Sequence, residues 1–228
     1  MRRKSILTSS HNKVQLQDEL VSVLVGKEEK TFYAHGSVLS RSSLVLRKAL
    51  SNAGTHGEPA TKTVQLRNIE PDTFAVYLHW LYFSTIPVKT DQVDVEDLEI
   101  AKAYVLGYRL GDATYQNAVV DAIVEKLTYS MPAQDECFSA EAVRYIYDHM
   151  PESTKNIRRL LVDVYTERRN SRWLQKCPFK ERLPHSFLLD LSAGLMDWPS
   201  RMPRSIRAPY YYVITTVCDN EDKEKDNE

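Results

Sequence analysis

Apolar and polar positions alternate with two different periods along this chain, and the change of period falls near His35. "LVSVLV" (Leu20–Val25) is a short β-branched run bounded by the turn-forming "GKEEK", and "TFYAH" (Thr31–His35) returns from it, which predicts a hairpin of two strands. Beyond His35 the apolar residues Val38, Leu39, Val45, Leu46, Ala49 and Leu50 recur at helical spacing, interrupted by the polar cluster Ser40–Ser43. The pattern predicts two short helices meeting at a corner, with Ser43 placed to cap the second.

"SNAGTHGEPATK" (Ser51–Lys62) reads as a loop and "TVQL" (Thr63–Leu66) as a third strand. Pro71 occupies the first-turn position that proline favours, ahead of the stripe Phe74, Tyr77, Leu78 and Leu81, and Val88 marks a further short strand. Asp94 is expected to cap the next helix, whose face is Leu98, Ala101, Val105 and Tyr108. Asp112 is expected to cap the one after, with Tyr115, Ala118, Val119, Ala122, Ile123 and Leu127 on its apolar side. Helices are predicted over Ala140–His149, Lys155–Arg169 and Leu183–Leu195, and "YYYVITTV" (Tyr210–Val217) has the composition of a strand without an evident partner.

Strands mixed with helices therefore come first and helices alone afterwards, an α+β unit followed by an all-α extension, with no internal repeat. The division is a flexible arm over 1–17, the α+β domain over 18–128, a helical extension over 129–209, and a strand-like segment with an acidic disordered tail over 210–228. At 228 residues the chain can bury a core without metal or disulfide staples.

Charge alters this picture only locally. The net charge is −1, giving no overall nucleic-acid or membrane signature, but Lys155–Arg182 carries nine basic and three acidic residues and the last ten residues carry two and six. The basic segment admits a nucleic-acid reading, set against the solvated face of a helix whose other side is Ile157, Leu160, Leu161 and Val164. Nucleic acid is accordingly not the expected partner. Three widely spaced cysteines fit a reducing compartment, cytoplasmic or nuclear, and no stretch approaches the ~18 apolar residues of a membrane span.

Motifs for chemistry are missing. The six histidines form no HExxH and no cluster with cysteine at metal-ligand spacing, and there is no P-loop, GxGxxG or GxSxG. The carboxylate pairs, Glu96/Asp97 among them, fall in turns or helix starts, where acids favour the helix dipole or water. No catalytic residue, metal or cofactor is expected. His35 beside Ser37 and Ser43 is read as a structural corner with a ring nitrogen bonded to backbone.

The stretch "FYAHGSVLSRSSLVLRKAL" resembles the signature of the BTB/POZ domain family: an aromatic, Ala-His, Val-Leu, a serine and a large apolar residue, here Phe32, Ala34, His35, Val38, Leu39, Ser43 and Leu46. Leu44 stands where the family usually has proline, and Leu46 where it has phenylalanine. "TVQLRNIEPDTFAVYLHWLYFSTI" is similar to the family's strand and following helix, with Tyr82 at the tyrosine of its closing turn. "DLEIAKAYVLGYRLGDATYQNAVVDAIVEKL" is similar to its closing helix pair. "NIRRLLVDVYTERR" and "LPHSFLLDLSAGL" resemble the helical extension of fungal BTB proteins.

The resemblance implies a non-catalytic protein-interaction module, a small sheet capped by helices, that docks protein partners and is often homodimeric. Many members are ubiquitin-ligase adaptors that recruit a cullin scaffold through a loop motif of hydrophobic residue, any residue, glutamate. That place here is His56-Gly57-Glu58, so His56, Glu58 and Tyr82 are the partner-binding candidates. The alternative is an oligomeric scaffold or transcription-related regulator that binds no cullin.

Overall fold

The structure, a computed structural model, describes residues 18–52, 62–130, 137–168, 183–197 and 206–214. The arm over 1–17, the loop residues His56 and Glu58, the basic stretch 169–182 and the acidic tail lie outside the described residues.

The predicted hairpin forms from β1 (Leu20–Val25) and β2 (Lys30–His35), paired antiparallel from Leu20↔His35 to Val25↔Lys30. Its turn works because Gly26 takes a positive φ of 79°, and Glu29 also enters the left-handed region at 52°. β3 (Thr63–Leu66) joins β1 in parallel, giving the order β2-β1-β3. Alternation then sorts the faces: Val21, Val23, Val25, Ala34 and Val64 point into the core, while Tyr33, Thr63 and Gln65 face outward.

Two short helices, α1 (Gly36–Ser40) and α2 (Leu44–Asn52), follow with a corner at Arg41–Ser43, and α2 runs two residues into the expected loop. α3 (Pro71–Phe83) starts on its proline and ends at Ser84, a non-glycine C-cap in the left-handed region whose N–H donates to the Trp80 carbonyl. α4 (Val93–Arg109) and α5 (Ala113–Glu125) form an antiparallel pair joined by Leu110–Asp112. Gly107 lets them approach: a Cβ there would lie 2.8 Å from Gln116 Cγ. A π-helical turn (Lys126–Ser130) extends α5.

The extension consists of α6 (Ala140–His149), α7 (Lys155–Arg168) and α8 (His185–Met196). α6 lies along α4, and α8 packs on α7 so closely that a Cβ at Gly194 would meet Val162 Cγ1 at 2.6 Å. Ser139 caps α6 by accepting the Ala142 N–H, and Pro184 delays α8 to His185, two residues later than the periodicity suggests. A single hydrophobic core runs from Val21 in the sheet to Tyr211 near the described end.

Three expectations fail here. Val88 belongs to no strand; its N–H turns back to the Ile86 carbonyl 3.1 Å away, next to Pro87, which has no N–H to give a ladder. Asp94 is not a cap, because α4 already begins at Val93 and Gln92 holds the capping position with no side-chain bond. The strand-like Tyr210–Val217 begins instead in a 3-10 turn (Ala208–Tyr211), after which Tyr212–Ile214 runs without a sheet partner, residues beyond 214 lying outside the description. Side chains replace the missing strand. Val213 N–H donates to Asn117 Oδ1 (2.7 Å), Asn117 Nδ2 donates to the Val213 carbonyl (3.2 Å), and Asn156 Nδ2 donates to the Tyr212 carbonyl (2.8 Å). One amide on α5 thus makes the two bonds a neighbouring strand would make.

Candidate docking surfaces and the signature corner

The residues of the quoted signature are where the sheet turns into helix. Ala34, Val38, Leu39 and Leu46 are buried, and the half-buried Phe32 meets Phe74 edge-on at 5.2 Å. Ser43 is fully buried and spends both capacities of its hydroxyl: it accepts the Leu46 N–H, capping α2, and donates to the Leu110 carbonyl at the α4–α5 junction.

His35 precedes α1 in extended conformation (φ −71°, ψ 134°) and makes no side-chain cap bond. The Asp18 carboxylate serves instead, accepting the Ser37 N–H, and that bond holds its pKa below the ordinary carboxylate value. The His35 ring does not bond to backbone as expected. Its Nδ1 lies 2.7 Å from the Tyr82 hydroxyl, which also accepts the His35 N–H at 3.0 Å. Tyr82, a partner-binding candidate, is therefore half-buried with its hydroxyl engaged inside the chain.

None of the nearby serines is set up as a nucleophile by His35. Ser42 Oγ donates to Asp112 Oδ2 at 2.5 Å, Ser43 is occupied as described, and Ser37 Oγ makes no hydrogen bond to His35, whose ring meets Tyr82. Among the described residues no group of His, Cys, Asp or Glu side chains is placed to hold a metal, and no helix is long and apolar enough to cross a membrane.

Two buried carboxylates fasten the frame around this corner. Asp112 caps α5 through the Tyr115 N–H (2.9 Å) and accepts from Ser42 and from Tyr77 Oη (2.8 Å), tying the α1–α2 corner to α3 and α5. Burial and the Asp112 charge push the Tyr77 hydroxyl pKa well above its usual range. The second, Asp97, does more than the helix-dipole or solvent role expected of the Glu96/Asp97 pair. Asp97 is 0% exposed and meets Lys126 Nζ at 2.5 Å; Lys126 is 7% exposed and also meets Glu96 at 3.0 Å. The other Asp97 oxygen accepts the Ser139 N–H at 2.8 Å, so one carboxylate on α4 holds both the π-helical turn after α5 and the start of α6. Burial raises the Asp97 pKa to about 6, against the opposing pull of Lys126 and Ser139.

The extension is tied down by tyrosine–aspartate bonds. Tyr147 donates to Asp190 (2.8 Å), Tyr211 to Asp163 (2.8 Å) and Tyr212 to Asp121 (2.6 Å). The basic helix α7 spends part of its charge internally: Arg158 stacks on the Tyr147 ring at 4.4 Å and donates to the Met150 carbonyl, and Arg159 pairs with Asp163.

A groove of about 320 Å³ lies between α4 and α6, lined by Leu98, Lys102, Glu141, Tyr145 and His149. Its charges are largely matched within the chain, Lys102 to Glu70 and Glu99 and Arg144 to Asp148. Among the described residues, the outward apolar side chains with the greatest exposure are scattered over Tyr33 on β2, Phe83 at the end of α3, Leu189 and Met196 on α8, and Ile214 at the described end.

A three-stranded sheet capped by helices, with the quoted signature at its strand-to-helix corner, matches the family model of the BTB/POZ domain over residues 11–108. This chain carries a BTB/POZ domain. The match ends within α4, one residue before its last. No curated protein matches the chain. A BTB/POZ domain is a protein–protein interaction module, and in this chain the helices beyond the match, α5 to α8, share one core with it.

Proposed function

We propose that this protein is a non-catalytic docking protein whose BTB/POZ domain dimerises and recruits protein partners, among them a cullin scaffold through the loop holding His56 and Glu58. The observation that carries this is the BTB/POZ match together with the extension being packed into the same core. A partner held by the domain would then be fixed in orientation relative to anything held by the helices. The working division remains an arm over 1–17, the domain over 18–128, the extension over 129–209, and the terminal segment beyond, in the cytoplasm or nucleus. Tyr82 contributes to docking through its ring, since its hydroxyl serves His35.

His56 supports a second reading. The cullin-binding pattern calls for an apolar side chain there, and burying an imidazole is less favourable. An oligomeric scaffold that binds no cullin follows if that position cannot anchor. Co-purification of a cullin N-terminal domain with the full chain and with Glu58→Ala separates the two. The adaptor reading expects capture by the parent and loss in the variant. Failure of the intact chain to capture the cullin removes that reading, while light scattering of a concentration-independent monomer removes the scaffold.

A further inference from the structure

Among the described residues nothing covers the outer edge of β2, and the free backbone groups there define what can pair with it. Gly36 N–H donates to the Glu19 carbonyl at 3.1 Å, so along the β1–β2 register the bonded pairs are Val21/Ala34, Val23/Phe32 and Val25/Lys30. Thr31, Tyr33 and His35 must therefore aim their N–H groups away from β1. His35 does so visibly, since its N–H meets the Tyr82 hydroxyl. Its carbonyl stands at the head of α1. Two donors and two acceptors are left, the N–H and C=O groups of Thr31 and Tyr33, and no described residue reaches them.

Natural sheets blunt such edges with proline, bulges or outward charges. β2 has none of these at the open positions: Thr31 is exposed and Tyr33 is 65% exposed. Both are residue types that favour cross-strand pairing.

We propose that β2 is an edge-to-edge contact between two copies of this chain, in which Thr31 of each copy pairs with Tyr33 of the other about a twofold axis at Phe32. In an antiparallel pair centred there, Thr31 and Tyr33 exchange both bonds across the axis, twice over. All four free donors then meet all four free acceptors, and no group is left over. Charge permits the register as well. The one lysine of β2, Lys30, falls opposite the Ala34 position of the other copy, so two lysines do not oppose each other.

The size of the contact sets its strength. A six-residue strand is roughly 20 Å long. It covers well under the ~800 Å² per partner of a standard stable interface. The pairing is therefore weak alone and concentration-dependent, adding to whatever other surface joins two copies. It does not depend on cullin recruitment.

Amide hydrogen exchange of the full chain across a concentration series tests this, run beside sedimentation velocity. The expected result is that the Thr31 and Tyr33 amides exchange more slowly as concentration rises. Tyr33→Lys should abolish that slowing, and so should Tyr33→Pro, which removes an N–H the hairpin does not use. Fast, concentration-independent exchange at both amides overturns the proposal. If the chain still dimerises by sedimentation in that case, the contact lies elsewhere and the dimerising reading of the domain survives. Protection that appears only with an added extended peptide, and not with the chain alone, also overturns it, because the edge then receives a foreign strand.

Discussion

Replacing Lys126 by methionine would leave the Asp97 carboxylate with one bond and no counter-ion. Asp97 is 0% and Glu96 14% exposed, both reach the same ammonium, and the Ser139 N–H is the other bond that Asp97 makes. Breaking a buried pair from one side costs about 3–5 kcal/mol, a large fraction of the ~5–15 kcal/mol that holds a typical protein folded. Lys126→Met should therefore lower urea stability by about 3–5 kcal/mol at pH 7.5, followed by circular dichroism. The pH dependence supplies the sign. With its lysine present, the Asp97 pKa is raised from 3.8 to about 6 by burial. The folded state thus holds the extra proton between those values, and the contribution of Asp97 to stability declines as pH rises from about 4 to 6. Removing Lys126 removes a force that lowers this pKa, so the variant should regain part of its loss at pH 5. Asp97→Asn with Lys126→Met should be more stable at pH 7.5 than Lys126→Met alone by roughly 2 kcal/mol, because no charge stays buried. A loss below about 1 kcal/mol at pH 7.5, or the same loss at both pH values, would refute the reasoning and mean that water reaches the pair.

Other perturbations probe the corner, the helix pair and the terminal segment. Tyr82→Phe leaves the half-buried His35 N–H and ring nitrogen without their shared oxygen and should cost about 1–2 kcal/mol. In a double-mutant cycle with His35→Ala the two losses should fall short of their sum, whereas full additivity in denaturant melts would deny the coupling. Gly107→Ala forces a Cβ to 2.8 Å from Gln116 Cγ and 3.1 Å from Tyr115 Cδ1, so it should destabilise by about 1–3 kcal/mol despite alanine's better helix propensity. A raised melting temperature would show that α4 and α5 have slack. Asn117→Ala removes both bonds to Val213 and should make the segment after Ala208 exchange its amides faster and yield sooner to limited proteolysis, with little change in global unfolding. Unchanged protection of Val213 would show that Asn156 and the tyrosine–aspartate bonds suffice.

What the sequence made legible follows from how local each signal is. The Ala140–His149 helix, the Ser43 and Asp112 caps and the hairpin all rest on patterns within a few residues, and each is found where the periodicity or cap chemistry puts it. Misplaced features depend on distant partners. Asp97 reads as a solvated helix-start acid until Lys126, 29 residues on, is brought against it. Asn117 reads as an ordinary helix-surface amide until Val213, 96 residues away, lies beside it. Tyr82 and His35 both stand out in the sequence, but nothing in their 47-residue separation says that one hydroxyl serves the other twice. The cap expected at Asp94 erred by two residues, since a helix can open earlier wherever its first N–H groups reach water.

The continuous core bears on where a mutation is felt as much as on total stability. The last residue of the family match, Tyr108, is no seam in the material: Tyr115 and Val119 beyond it and Tyr104 and Ile100 before it belong to one packed interior. The helices after the match are structural neighbours on which the matched part leans, through Asp97 above all. Substitutions in the extension should then be felt in global unfolding as if they lay within residues 11–108. The family match spans residues 11–108, and the unit on which mutation acts is larger than that span.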